Sequence, residues 1–315
     1  MSEFVIMLRN VLLFVALAIP GYILVKTRLM GEKSSGVLSK LLTYLGMPFL
    51  ILSSTLNISF TGEFAIKIVL VGLVGVVFTV LFFLLSALLI KNKEDEKRKG
   101  MARFCMVFSN NGFLGIPLAK AVFGASPVVT YLIILNIITN VLMFTLGVYL
   151  ISGDKKLMSV KKAVLNPVLI AFVIGIVLNL VKVTGWVPEI GTFAGHFSNI
   201  VTPISMTILG MKMAEINISS LFIKGNVYYV SAIKLVALPV LAVGISLLLR
   251  LVIPVDDEII LGFFIALAMP TAGLASAFSD RYDGDTENAV LFTLGSTLLS
   301  IVTIPILYWL LCVII

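Results

Sequence analysis

The side chains of this chain that could do chemistry are mostly amides and hydroxyls embedded in apolar sequence. The segment FSNNGFLGIPLAKAVFG gathers Asn110, Asn111, Gly112, Gly115 and Pro117 into one short stretch. All are poor choices for a helix interior, and proline also removes a backbone donor. Asparagine amides both donate and accept, so they suit an unwound segment facing a polar ligand. The plainer reading is a packed kink in which asparagine caps a half-helix. A second segment, LAMPTAGLASAFSDRY, supplies Pro270, Thr271, Gly273 and Ser276. If the two breaks meet, two half-helix N-termini point into one cavity, and their partial positive charge favours an anion. A carboxylate could then be held without a buried arginine.

Other candidates are fewer. Asn136 and Asn140 are one helical turn apart and share a face. They suit either interhelical bonding or contact with the breaks. Lys234 lies about twelve residues into an apolar run, roughly 18 Å along a helix, and a lysine that deep is a functional candidate by default. Its alternative is a structural lysine satisfied by backbone carbonyls. His196, the single histidine, reads as structural or interfacial. Cys105 and Cys312 have no zinc or redox spacing. No GxxxxGK or HExxH motif is present. The chain therefore reads as no enzyme, with no cofactor and no metal.

The elements that must carry these residues are set by composition. Of 315 residues, 60% are hydrophobic and 12% charged, and mean hydropathy is +1.14. Soluble domains hold about 25% charged residues, so the solvent here is a lipid bilayer. The net charge of +7 reads as an orientation signal and not as a nucleic-acid surface. Apolar runs near residues 4–25, 37–56, 64–90, 101–123, 127–151, 166–184, 190–213, 222–249, 257–279 and 286–314 predict ten spans. Most of the 23 lysines and arginines fall in the loops after the odd-numbered spans. That bias puts those loops in the cytoplasm and both termini outside. The run KNKEDEKRKG, residues 91–100, reads first as a solvated anchoring loop and second as a lipid-headgroup contact. Asn166-Pro167 reads as the start of the sixth span.

The halves repeat. Pro48 and Pro203 sit in the second and seventh spans, and Pro117 and Pro270 in the fourth and ninth, at nearly equal offsets. The third and eighth spans are each followed by acidic residues, Glu94–Glu96 and Asp256–Glu258. A five-span unit that is duplicated must re-enter from the opposite face. This is the inverted-repeat plan of secondary transporters. The repeats are expected over residues 1–152 and 163–315.

SNNGFLGIPL, NPVLIAFVIGIVLNL and AMPTAGLASAFSDRYDGD, in that order, resemble the auxin efflux carrier family in its bacterial PIN-like branch, over essentially the whole chain. The resemblance implies an all-α membrane protein of the bile acid sodium symporter-like fold. It implies ten transmembrane helices in two inverted five-helix repeats, with broken helices crossing at Pro117 and Pro270. It implies a family asparagine at Asn110 or Asn111. It implies a scaffold of spans 1, 2, 6 and 7, a mobile unit of spans 3–5 and 8–10, and elevator-type alternating access. Lys234 would then occupy a place where a related symporter holds sodium. The expected cargo is a small organic anion, either auxin-like or a dicarboxylate, in the cell membrane, with homodimerisation left open. A sensor that binds a carboxylate in the same pocket without moving it is the alternative. The short central loop, about residues 152–165, departs from the large plant carriers.

Overall fold

The computed structural model describes residues 3–31, 34–56, 58, 61–91, 95–124, 126–215 and 225–315. Lys33, Lys93 and Lys224, which the charge bias includes, lie outside the described residues, as does Glu94 of the acidic stretch. The regular secondary structure of the described residues is helical, apart from one isolated β-bridge.

The helices, in chain order, are α1 (Phe4–Lys26), α2 (Ser34–Thr55), α3 (Gly62–Leu89), α4 (Glu96–Val107), α5 (Asn111–Phe123) and α6 (Pro127–Ser152). There follow α7 (Pro167–Leu180), α8 (Glu189–Asn199), α9 (Val201–Glu215) and α10 (Gly225–Leu249). The chain ends with α11 (Asp257–Ala268), α12 (Ala275–Arg281) and α13 (Thr286–Ile314). Among the described residues, seven helical runs are long and apolar enough to cross a bilayer: α1, α2, α3, α6, α10, α13 and the run Lys155–Leu180 that ends in α7. The runs expected to be the fourth and ninth spans are broken into α4/α5 and α11/α12, where breaks were expected, and the seventh is divided as well, into α8/α9.

Local chemistry starts and bends these helices. The side chains of Thr61, Asp95, Ser126, Asn166, Asp256 and Asp285 each accept a hydrogen bond from a backbone N–H in the first turn that follows, satisfying donors that have no intrahelical partner. Three prolines are absorbed by one device. Pro48, Pro117 and Pro239 each stand two residues past a π-turn, at Leu42–Gly46, Asn111–Gly115 and Ile233–Ala237. In each turn the ladder slips from a four-residue to a five-residue bond, so Met47, Ile116 and Leu238 donate to the carbonyls of Leu42, Asn111 and Ile233. The slip opens room for the proline ring and its missing donor.

Packing follows membrane logic. With little hydrophobic drive between helices in lipid, close backbone approach at small residues carries association. Helices α1 and α9 meet in this way: a Cβ on Gly21 would overlap the Thr207 carbonyl, and one on Gly210 would overlap that of Ala18. The buried core lies where α4, α6, α11 and α13 converge. The outward faces of α1, α3 and α7 expose leucine, isoleucine and valine, as a lipid-facing surface requires.

Candidate functional site

The breaks between α4 and α5 and between α11 and α12 cross each other. Ser109 and Thr271 form an antiparallel bridge. Asn110 N–H donates to the Pro270 carbonyl at 2.8 Å, and Ala272 N–H donates to the Phe108 carbonyl at 2.9 Å. Each unwound segment thus satisfies backbone groups that the other has freed, which hydrocarbon alone could not do. Side chains complete the accounting. Thr271 N–H donates to Ser296 Oγ at 3.1 Å, and Thr271 Oγ1 donates to the Cys105 carbonyl at 2.9 Å. The Lys234 ammonium donates to Ser109 Oγ.

A cavity of about 80 Å³ lies against this crossing. Ser109, Asn110, Gly112 and Phe113 form one wall, and Ala272, Gly273 and Leu274 a second. Asn136, Thr139 and Asn140 of α6 face them, and Thr43, Met47 and Asn166 close the rest. None of the described side chains that line it is charged. Asn140 Nδ2 donates to the Asn136 carbonyl at 2.8 Å and to Asn136 Oδ1 at 3.2 Å. That leaves Asn136 Nδ2 buried with no partner. A buried donor left unmade is costly, so it is a place for a ligand's acceptor. Gly112 gives the close approach: a Cβ there would meet Met47 at 2.8 Å and the Asn136 amide oxygen at 3.3 Å.

The cavity shares Thr43, Phe144, Gly273 and Leu274 with a vestibule of about 610 Å³. Lys40, Lys212, Glu215, Asp280 and Arg281 line that vestibule. Lys212, at the end of α9, reaches across to the other break. Its ammonium donates to Ser276 Oγ at 2.8 Å and to the Gly273 carbonyl at 3.4 Å. On the same helix Ser205 Oγ donates to the Phe113 carbonyl at 2.9 Å.

The residues singled out from sequence divide by position. Asn110, Gly112, Asn136, Asn140 and Gly273 line the cavity, and Ser276 lines the vestibule. Asn111 is buried beside it with its Oδ1 unpartnered. Pro270 contributes only its carbonyl to the crossing, and Thr271 turns inward to Cys105. Pro117 is buried in the first turns of α5, and Lys234 is fully buried behind the bridge. His196 lines neither space. Sequence reasoning passed over Ser109, Thr43 and the second role of Asn166, and it counted Lys212 only as an orienting charge. Ser109 directly precedes the asparagine pair, so adjacency was its one available signal. Among the described residues, no group of three His, Cys, Asp or Glu side chains could hold a metal ion.

The family model described as membrane transport protein matches residues 5–160 and 154–308. The chain belongs to that family. It is the auxin efflux carrier, PIN-like family that the three sequence segments resemble. The chain is also similar to an uncharacterised transporter of Methanothermobacter thermautotrophicus. The two are 27% identical over 307 residues, covering 94% of this chain and 96% of that one. This member of the membrane transport protein family is therefore a multi-pass all-α protein of the lipid bilayer, a transporter and not an enzyme.

Proposed function

We propose that the chain is a secondary transporter for small organic anions and that the cargo's carboxylate sits in the cavity at the crossing. One observation carries the reading: an uncharged, amide-lined cavity flanked by two lysines, each a single hydrogen bond away. Lys234 donates to Ser109, whose oxygen is then an acceptor and whose own proton is free to donate. Lys212 donates to the Gly273 carbonyl on the opposite wall. An anion would meet a positive potential and neutral donors, without displacing an ion pair.

The ten-span, inverted-repeat plan supports movement. Asp95 and Asp256 both cap helices of 12 residues, α4 and α11, and each helix ends directly at a break. We read residues 1–152 and 163–315 as the two repeats on this basis. Spans 1, 2, 6 and 7 then form the scaffold, and spans 3–5 and 8–10 form the unit that moves as an elevator. Three cations that line the vestibule, Lys40, Lys212 and Arg281, belong to the lysine- and arginine-rich odd loops. With odd loops cytoplasmic and both termini outside the cell membrane, this is an inward-open state. The sensor alternative loses ground to the family match.

Purified protein in proteoliposomes tests the proposal. Uptake of labelled aryl-acetate or dicarboxylate anions, driven in turn by proton and sodium gradients, should exceed that of matched neutral amides. Saturable binding without flux would overturn transport in favour of sensing. Equal flux of the neutral amides would overturn the anion assignment.

A further inference from the structure

A second polar site lies away from the crossing, where the end of α3 and the start of α4 meet the start of α10 and the flank of α13. We infer that this cleft holds the phosphate headgroup of an anionic phospholipid, with part of the acyl chain along its lower wall. The inference is independent of which cargo the protein carries.

The cleft has a volume of about 110 Å³. Its charged wall is Lys91, Arg98 and Lys99. These three cations are not equivalent. Lys99 is paired with Glu96 at 3.1 Å, and neighbouring Lys97, which does not line the cleft, is paired with Asp283 at 2.7 Å. No ion pair of Lys91 or Arg98 occurs among the described residues. Arg98 Nε is buried and has no hydrogen-bond partner among the described residues. A buried guanidinium donor without an acceptor is costly. The planar fork of arginine matches two oxygens of one phosphate. Lys91, which is exposed, can supply a second positive contact to the same group.

The lower wall decides between a lipid and a soluble anion. It consists of Ile90, Val230 and Phe292, all buried, with Leu89 partly exposed at its edge. Tyr229 stands at the rim, 49% exposed, its hydroxyl donating to the Leu89 carbonyl at 3.0 Å. An aromatic with one polar bond at the boundary of an apolar surface is what a membrane–water interface selects. Free phosphate would use only the upper half of such a cleft. A phospholipid uses both, and basic residues at a helix end recognise anionic headgroups in this way.

Two helices of the cleft lead to the crossing. Helix α4 runs from Arg98 to the segment that carries Ser109, and α10 carries both Tyr229 and Lys234. A lipid bound here braces the elements that hold the bridge. It should stabilise the whole fold by mass action, because it binds the folded state alone.

The full chain in maltoside micelles is titrated with short-chain phosphatidylglycerol, the matching phosphatidylcholine, or inorganic phosphate, and thermal unfolding is followed. Phosphatidylglycerol should raise Tm by about 3 °C more than phosphatidylcholine at saturation. Arg98→Gln combined with Lys91→Gln should remove at least half of that excess, and Arg98→Gln alone should remove part of it if the double variant does not fold. Lys97→Gln, which removes a paired cation outside the cleft, should keep the excess whole. Equal shifts from both lipids would overturn the inference, as would an undiminished excess in the Arg98 variants. An equal loss in Lys97→Gln would reduce the effect to general charge. A full shift from inorganic phosphate would reassign the cleft to a soluble anion.

Discussion

Lys234 and Lys212 touch the same crossing from opposite sides, in different surroundings. Lys234 is fully buried in a π-turn of α10 and donates to Ser109 on the α4 side. Lys212 sits at the open end of α9, lines the vestibule, and donates to Ser276 and Gly273 on the α12 side. In the proposed division into two units, Lys234 belongs to the same unit as the crossing and would travel with it. Lys212 belongs to the scaffold, so its two bonds must break whenever the unit moves. The contrast separates a permanent charge built into the site from a contact made in one conformation. A buried cation has no alternative partner and is expensive to leave unmet. A cation at a vestibule can exchange its partners for water.

Six substitutions at five positions put this contrast at risk. Lys234→Ala should lower proteoliposome flux by about tenfold to hundredfold, the worth of about 1.5–3 kcal/mol for a hydrogen bond to a charged group. Lys234→Met, which keeps the volume, should fail equally. Wild-type flux in either would make Lys234 dispensable and remove the contrast. Asn110→Ala removes an amide that lines the cavity and should cost about tenfold in apparent affinity for the anion, about 1.4 kcal/mol. Asn111→Ala should cost less, since that amide is buried beside the cavity. The reverse order, read from transport assays on both variants, would exchange the two assignments.

Lys212→Gln should change flux by only about fivefold, near the 1 kcal/mol of a typical net hydrogen bond. Its effect should shrink as ionic strength rises, because a solvent-reached charge is screened. A salt-independent, larger loss would show that Lys212 stays in place through the cycle. Asn140→Ala should have the smallest effect, about twofold in flux. Its amide makes only local bonds to Asn136, and such neutral bonds contribute about 0.5–1.5 kcal/mol. A loss as large as that of Lys234→Ala would make α6 a principal wall of the site.

Much of the fold was legible because the signals were strong and local. Apolar runs bounded by charge locate the helices to within a few residues, and α13 runs over Thr286–Ile314 as the last run predicts. Asn110 to Pro117 and Pro270 to Ser276 advertise breaks because proline and glycine disfavour the helix interior whatever surrounds them. Which way a side chain turns at a break is a tertiary property. Thr271 looks like a ligand in sequence, yet its hydroxyl is taken by the Cys105 carbonyl. Ser109 looks incidental and lines the cavity. Lys212 was hidden for a different reason. It ends an apolar run, where charge usually marks a loop, and only the approach of α9 to α12 shows what it reaches. The break at Ile200 between α8 and α9 has no signal beyond Asn199 and the nearby Pro203.

The bridge between Ser109 and Thr271 also bears on how the molecule is made. Its two strands lie in opposite halves of the chain, so synthesis exposes the first long before the second exists. During that interval Phe108 and Asn110 have no backbone partners for the groups they will later pair, and lipid offers none. The early segment must wait in water, against the insertion machinery, or as a straighter provisional helix. Closure of the crossing is then a late event in biogenesis, and mistakes in the second half of the chain should surface as instability of the first.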